Sequence, residues 1–564
     1  VSRLGQRLFT RRQTLWLWAL PLLFLLVFFY YPLFSIFRLT LEMAIDQAGG
    51  AIAWNRVGRA LGFTFWQAGL STFFTLLVGL PAAYVFARYQ FPGKTLLRAL
   101  TTIPFILPTV VVAAGFNALL GPRGWVNLGL MQLFGLSTPP LHVLDTLAAI
   151  VLAHVFYNTT VVLRLVGSAW AQMDPRLGLA ARVLGASPRR VLWEVTLPLL
   201  RPAILAAALL VFLFDFTSFG VILLLGGPRY ATLEVEIYIQ ALQMLNLPLA
   251  GLLSILQLGC TLLLGALYGV LGGHYSVPVA PRLRGENTVA ARTPGARLLV
   301  AGVLLVLTLL LVTPLAALGL RSVTRLDAER GQRGAVTTGL TLDYYRELFV
   351  NRRQSLFYVP PVTAARNSLL YAAGTVAFAL PLGFLATAAL RRKARVNRFL
   401  DPLLMLPLGA SAVTLGLGYV VAFNRPPLDV RSLPVLVPVA HTLVALPFVV
   451  RTLQPALASI PQSLRQAAAV LGASPWRVWW EVDFPIVARA ALVSAVFSFT
   501  ISLGEFGATT FLARPEMPTL PVAIFRFLSQ PGALNYGQAM AIATILMLVC
   551  AASIVLVEWL SGEG

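Results

Sequence analysis

Long apolar runs separated by short polar stretches recur along the whole chain. The run at 15–34, LWLWALPLLFLLVFFYYPLF, has no polar period, so it reads as neither a half-exposed soluble helix nor a strand. A helix that crosses a bilayer takes about 20 mostly apolar residues. Such runs predict twelve spans at 15–37, 61–87, 97–120, 144–170, 200–225, 248–271, 297–319, 367–390, 399–423, 433–455, 487–511 and 536–560. Several carry Pro or Gly, as in GLPAAY at 79–84, which membrane helices tolerate. Outer-membrane barrels show alternating segments of about ten residues instead. The fold class is therefore all-α, a polytopic membrane protein.

Composition agrees. Of the 564 residues 58% are hydrophobic and only 11% charged, too few charges to cover a soluble protein of this length. The net charge of +22 would suggest nucleic acid in a soluble chain, but Lys and Arg collect in the cytoplasmic loops of membrane proteins. Nucleic acid is not expected as a partner, and the bilayer is. Arg3, Arg7, Arg11 and Arg12 precede the first span; Arg88, Lys94 and Arg98 lie between the second and third. Arg176, Arg182, Arg189 and Arg190 follow the fourth, and Arg391, Arg392, Lys393, Arg395 and Arg398 follow the eighth. All fall on one side of a twelve-span chain, which predicts cytoplasmic termini. Cys260 and Cys550 both lie in apolar runs, so neither a disulfide nor a metal site is expected.

The chain is duplicated. His154 pairs with His441, Arg164 with Arg451, Gly185 with Gly472, Pro198 with Pro485 and Gly220 with Gly507, all 287 positions apart. Thr232-Leu233 and Thr519-Leu520 keep the same offset. Six spans separate the copies, an even number, so the two halves are parallel and pseudosymmetric rather than inverted. The halves are 1–271 and 297–564, joined by a Gly/Pro/Arg-rich linker at 272–296 that is expected to be cytoplasmic.

The duplication includes a polar stretch, AARVLGASPRRVLWEVTLP at 180–198, which returns as AAVLGASPWRVWWEVDFP at 468–485. Ala180, Ala181, Val183 and Leu184 predict a short helix with a small apolar face, and Gly185 can take the backbone conformation that ends it. Ser187 is a good N-cap for a second helix with Pro188 at its first position. Two such knobs, one after the fourth span of each half, exceed what a surface loop requires.

The spacing resembles the "EAA" loop of binding-protein-dependent ABC importer permeases, E-A-A, three residues, Gly, nine residues, then I-x-L-P. The first copy runs Leu179-Ala180-Ala181, Gly185 and Val195-Thr196-Leu197-Pro198, and the second Gln466-Ala467-Ala468, Gly472 and Val482-Asp483-Phe484-Pro485. Leu179 and Gln466 replace the family's leading Glu. LAHVFYN (152–158), LGGPRYATLEVEIYIQAL (225–242) and GEFGATTFLARPEMPTLPVAIF (504–525) are similar to the fused ferric-iron and thiamine importer permeases.

The resemblance implies a permease of the bacterial inner membrane that moves a small cationic substrate, of the ferric-iron or thiamine type, into the cytoplasm. It implies coupling loops at 173–190 and 460–477, with Ala180, Ala181, Gly185, Ala186 and Ser187 in one and Ala467, Ala468, Gly472, Ala473 and Ser474 in the other. The implied partners are two copies of a cytoplasmic ABC ATPase, which would hold ATP and Mg, and an extracytoplasmic substrate-binding protein touching loops that include 226–247 and 513–535. This chain would bind no cofactor and hydrolyse no ATP. The GKT of FPGKT (91–95) lacks the earlier Gly of a phosphate-binding loop, and no catalytic triad or metal-ligand cluster is legible. A secondary transporter driven by an ion gradient also accounts for the duplication, though not for the knobs.

Ionisable groups inside spans usually mark a function. Asp215 aligns with Ser502, and Glu505 with Ser218. The two positions are three residues apart, nearly one helical face, so each half would offer one carboxylate to a shared interface. Asp215, Ser218, Ser502, Glu505, His154 and His441 are the candidate pathway residues, with an internal partner such as Arg or Ser as the alternative for the acids.

Overall fold

A computed structural model describes residues 16–46, 54–227, 229–273, 288–325, 339–350, 359–392, 395–425, 428–429 and 433–561. The four N-terminal arginines, Lys393 and most of the linker lie outside the described residues. Among these residues ten helices are long and apolar enough to cross a membrane, and two bent helix pairs raise the number to twelve.

In the first half the helices are α1 (Trp16–Glu42), α2 (Trp54–Arg88), α3 (Lys94–Ile106), α4 (Thr109–Leu120), α5 (Trp125–Phe134) and α6 (Leu147–Gln172). There follow α7 (Pro175–Val183), α8 (Pro188–Phe216), α9 (Gly220–Leu225), α10 (Leu233–Tyr238) and α11 (Leu247–Val270). The second half runs α12 (Pro294–Ser322), α13 (Pro361–Leu390), α14 (Asn397–Leu408), α15 (Ala412–Ala422) and α16 (Leu436–Ala458). It ends with α17 (Gln462–Val470), α18 (Trp476–Gly504), α19 (Gly507–Leu512), α20 (Leu520–Leu528) and α21 (Ala533–Val557).

Four of the twelve expected spans are not continuous. The third bends by 111° between α3 and the segment Thr109–Phe134 that holds α4 and α5, and the ninth by 96° between α14 and α15. At the first bend Leu107 precedes Pro108, whose ring drives the preceding residue out of the helical region, and Leu107 is extended at φ −66°, ψ 138°. At the second, Ser411 is extended and its Oγ accepts the Thr414 N–H at 3.0 Å, which starts α15 as an N-cap. The fifth span, expected to reach 225, stops at Phe216, and the eleventh, expected to reach 511, stops at Gly504. Averaged over a span, hydropathy stays high through all four places, although Asp215, Thr217, Ser218 and Glu505 stand at two of the breaks.

The segments beyond those two stops also differ from expectation. Residues 226–247 and 513–535 include α10 and α20, and Leu233, Glu234, Ile237 and Ile524 are buried rather than looped out. The paired Thr-Leu dipeptides now have a reason. The Leu233 N–H donates to Thr64 Oγ1 (2.9 Å) and the Leu520 N–H to Ser368 Oγ (2.8 Å), fixing each short helix to the second span of its half.

Each half is built on three close-packed helices, α2, α6 and α8 in one and α13, α16 and α18 in the other. The halves interlock: α1 packs on α15, while α12 and α21 pack on α4. Trp125 Nε1 donates to the Ala317 carbonyl (3.2 Å) and Tyr536 Oη to Asn117 Oδ1 (3.0 Å) across that boundary.

Trp18 Nε1 donates to Asn397 Oδ1 (3.0 Å), and Asn397 Nδ2 reaches back to the Ala389 carbonyl, so α1 begins where α13 ends. α6 runs parallel to α2, with His154 at Ser71 and Val162 against Gly79. α16 runs parallel to α13, with Pro438 beside Thr375 and Val449 against Gly383. The segments after α6 and α16 therefore leave the bundle at one end. In a chain freed of Cys260 and Cys550, single Ser187→Cys and Ser474→Cys variants should react with a membrane-impermeant maleimide from the same side. Labelling from opposite sides would overturn the parallel arrangement.

Candidate functional site

Two places in the fold carry chemistry: the paired knobs at one end, and a polar cluster in each half where α8 and α18 stop.

The knobs are built as their sequence dictates. In the first, α7 begins at Asp174, whose carboxylate accepts the Arg176 N–H (2.9 Å), and ends at Gly185 with φ +87°. The Ala186 N–H donates to the Ala181 carbonyl and the Gly185 N–H to the Arg182 carbonyl, both at 3.0 Å, a Schellman closure that needs a left-handed residue at 185. The second repeats it: Ala473 to Ala468 and Gly472 to Ala469, again at 3.0 Å, with Gly472 at φ +81°. Ser187 accepts the Arg190 N–H and Ser474 the Arg477 N–H, both at 3.3 Å. Arg190–Glu194 (2.9 Å) and Arg477–Glu481 (2.8 Å) are a further repeated pair.

The most prominent apolar groups on the knobs are not the alanines. Ala180 and Ala467 are exposed, and Ala181 and Ala468 half-buried. Val183 and Leu184 are each 88% exposed, and Val470 and Leu471 each 87%. A pair of apolar side chains held out at a rigid turn, twice, is a surface that lacks its cover. The duplication aligned these residues too, but their prominence depends on the Schellman turn.

In the first half His154 of α6 is 2% exposed and lies between three groups. Nδ1 is 3.0 Å from Ser71 Oγ and 3.4 Å from Asp215 Oδ1, and Nε2 is 2.9 Å from Ser218 Oγ. Asn158 Nδ2 donates to Asp215 Oδ1 (2.7 Å), and Gln67 Nε2 donates to the Asp215 carbonyl (2.7 Å), which at the end of α8 otherwise accepts only a long bond from the Ser218 N–H (3.4 Å) and one from the Thr217 N–H of the terminal turn. In the second half His441 is fully buried. Its Nδ1 is 2.7 Å from Ser502 Oγ, and its Nε2 is 3.1 Å from Glu505 Oε2 and 2.8 Å from Thr509 Oγ1. Glu505 also accepts the N–H groups of Ala508 (2.8 Å) and Thr509 (2.9 Å), capping α19.

The two clusters are one design with an exchange. Each histidine meets positions 215/502 and 218/505 from its two ring nitrogens. The acid stands at the first position in one half and at the second in the other. The carboxylates do not face a shared interface as the sequence suggested. Their side chains are 1% and 6% exposed, and each reaches the histidine of its own half, a partner that the sequence reading had not offered them. Arg164 and Arg451 are exposed on α6 and α16, away from the acids.

What does meet between the halves is aromatic. Phe219, next to Ser218, stacks on Phe506, next to Glu505, with centroids 5.5 Å apart and planes at 21°. Phe219 also packs on Tyr238, and Phe506 on Phe525, each at 5.5 Å. All four occupy paired positions of the duplication, so the rings form a row across the pseudo-two-fold axis. The sequence reading missed them, although Phe219 and Phe506 are identical residues in register. It also missed Glu234, fully buried, which accepts from Ser411 Oγ of the other half (2.9 Å) and from Gln257. Its duplicate position is Pro521, so the repeat carried no signal for it.

The sequence family described as binding-protein-dependent transport system inner membrane component matches residues 75–276 and again residues 379–561. The thiamine transport system permease protein ThiP of Brucella abortus is 27% identical over 531 residues, 92% of this chain and 91% of that protein. ThiP of Salmonella typhimurium is 27% identical over 527 residues, 91% of each chain. ThiP of Escherichia coli is 28% identical over 513 residues, 89% of each chain.

The exchange is testable. Ser218→Glu alone would set two carboxylates around one buried imidazole and should destabilise the protein by about 3 kcal/mol, the cost of an uncompensated buried charge. Adding Asp215→Ser recreates the arrangement of the other half and should recover most of the loss. Thermal unfolding in detergent reads both; equal destabilisation in the single and double variants would refute the equivalence of the two clusters.

Proposed function

We propose a transport mechanism on one premise: this chain belongs to the family of binding-protein-dependent transport system inner membrane components. It is an importer permease of the ABC class, with both halves fused in one polypeptide. In our reading it is driven by two copies of a separate ABC ATPase that hold the ATP and Mg. It receives substrate from an extracytoplasmic binding protein, sits in the bacterial inner membrane with both termini in the cytoplasm, and needs no cofactor of its own.

One observation carries the mechanism. The second helix of each knob is also a membrane span: α8 and α18 each run 29 residues, from the knob to the break beside the aromatic row. At 1.5 Å per residue each is a rod of about 43 Å. Each rod carries a π-turn just inside its knob end, at Leu192–Thr196 and at Trp479–Asp483. Displacing a knob therefore displaces Asp215 and Phe219, or Ser502 and Phe506, at the far end. The ATPase pair would grip Val183-Leu184 and Val470-Leu471 together with the Ala180/Ala181 and Ala467/Ala468 faces. When it closes, the rods move against one another and part the Phe219–Phe506 stack. The histidine–acid clusters keep each break attached to α6 or α16 while it moves, and would line the opened path as its polar wall. This is alternating access with the energy supplied by a partner that binds the two states unequally.

The substrate is a small organic cation of the thiamine type. Relatives named for thiamine transport align over about nine-tenths of this chain. Asp215, Glu234 and Glu505, each within four residues along the chain of a ring in that row, would suit a cation with an aromatic face once the stack parts.

Val183→Asp with Leu184→Asp, and separately Val470→Asp with Leu471→Asp, should weaken ATPase association about 30-fold or more, the effect of losing a buried interface anchor. Copurification with the ATPase measures it. Phe219→Ala with Phe506→Ala should leave association intact and make labelled thiamine leak through proteoliposomes without ATP. Thiamine uptake driven by a proton or sodium gradient in liposomes containing this chain alone would sink the reading.

A further inference from the structure

We propose that an anionic phospholipid binds beside the first knob and braces it, in a place that the second knob closes with its own side chains. A cleft of about 740 Å³ lies between α7, the start of α8 and the ends of α2 and α6. It is lined by Tyr84, Arg88, Trp170, Gly178, Arg182 and Thr196, among mostly apolar neighbours. Pro81 lines it too, and Pro81 also lines a second, mostly apolar hollow of about 530 Å³ between α2 and α12, so the two adjoin at that residue. That hollow follows α12 from Gly295 to Leu307. Twelve residues of helix rise about 18 Å, close to one leaflet of a hydrocarbon core about 30 Å thick. Gly295 and Gly302 leave the hollow unfilled, since a Cβ at either would meet nothing within 4 Å.

The shape and chemistry are those of a lipid. The hollow suits an acyl chain. Tyr84 and Trp170, rings 5.1 Å apart, mark the level where such residues sit at a membrane boundary. Arg88 and Arg182, both exposed, line the same cleft as these rings. Asp174, the one acid among the lining residues, caps α7 by accepting the Arg176 N–H (2.9 Å), and the two arginines outnumber it. Two guanidinium groups on an apolar cleft select a phosphate with a net negative charge over a zwitterion.

The other half supplies the contrast. Gly178 and Thr196 align with Arg465 and Asp483, which form an ion pair at 2.5 Å joining α17 to α18. Leu192 aligns with Trp479, which packs edge-on against Phe384 at 5.9 Å. The second knob is thus held by an ion pair and a ring contact where the first has a glycine, a threonine and open space. A lipid phosphate between Arg88 and Arg182 would do for the first knob what Asp483 does for the second.

Native mass spectrometry of the purified chain in detergent, titrated with phosphatidylglycerol or phosphatidylcholine, tests this without the ATPase or the substrate. Phosphatidylglycerol should be retained preferentially as a first adduct. Arg88→Gln with Arg182→Gln should weaken that retention about 30-fold, the contribution of two interfacial arginines, and Arg88→Lys with Arg182→Lys should keep most of it. Gly178→Arg with Thr196→Asp transplants the ion pair into the cleft. The nearest atom to a Cβ at 178 is Val191 Cγ1 at 3.4 Å, so the chain can accept it, and it should displace the lipid with no loss of thermal stability. Equal retention of the two lipids, or unchanged phosphatidylglycerol retention in both the glutamine and the transplant variants, would overturn the proposal.

Discussion

In hydrocarbon, a backbone amide or carbonyl released from a helix finds no water, so a break in a membrane helix survives only where the protein itself supplies partners. The structure follows from that constraint. The ends of α8 and α18 and the starts of α4 and α15 all turn inward. Some partners are polar side chains on neighbouring spans, Gln67 for the Asp215 carbonyl and Thr64 and Ser368 for the Leu233 and Leu520 amides; others are local caps, Glu505 for the start of α19 and Ser411 for the start of α15. Each sits in a sequence stretch whose hydropathy gives no warning, because one hydroxyl or amide per turn barely changes the average.

The same demand explains the histidine clusters. A buried carboxylate needs a counter-charge or several donors, and an imidazole offers two nitrogens on opposite edges. One histidine can therefore hold an acid on either side. The first half places it at 215 and the second at 505, with serine at the alternate position. The geometry around the ring was kept while the residue types changed places. Identity in register marked the histidines. It could not mark the acids, which looked unrelated until both were seen against the ring they share.

The proposed mechanism rests on joining the two ends of a rod: a knob closed by a left-handed glycine at one end of a 29-residue helix, and at the other the break where the halves touch through stacked rings. The halves are nonetheless unequal near the knobs. An ion pair secures the second, and the first leaves an apolar cleft edged by arginines, so what surrounds the protein becomes part of how its first half is held.

The sequence by itself determined the class, the twelve apolar segments, the parallel duplication and the knobs with their caps. Those properties rest on local rules: apolar length against bilayer thickness, a glycine where φ must be positive, a serine before a helix-starting proline. It also picked out the paired histidines and the intramembrane acids as unusual. Local signals mark the two bends, Pro108 after Leu107 and the Ser411 cap, but tertiary structure alone decided that residues 226–247 and 513–535 fold back into the bundle and that the acids pair with histidine inside each half rather than across them. It alone brought Phe219 onto Phe506. These depend on which side chain from a distant span arrives to satisfy a free polar group or fill a gap, and that is set by packing among helices far apart in the chain, where neither periodicity nor local propensity carries any trace.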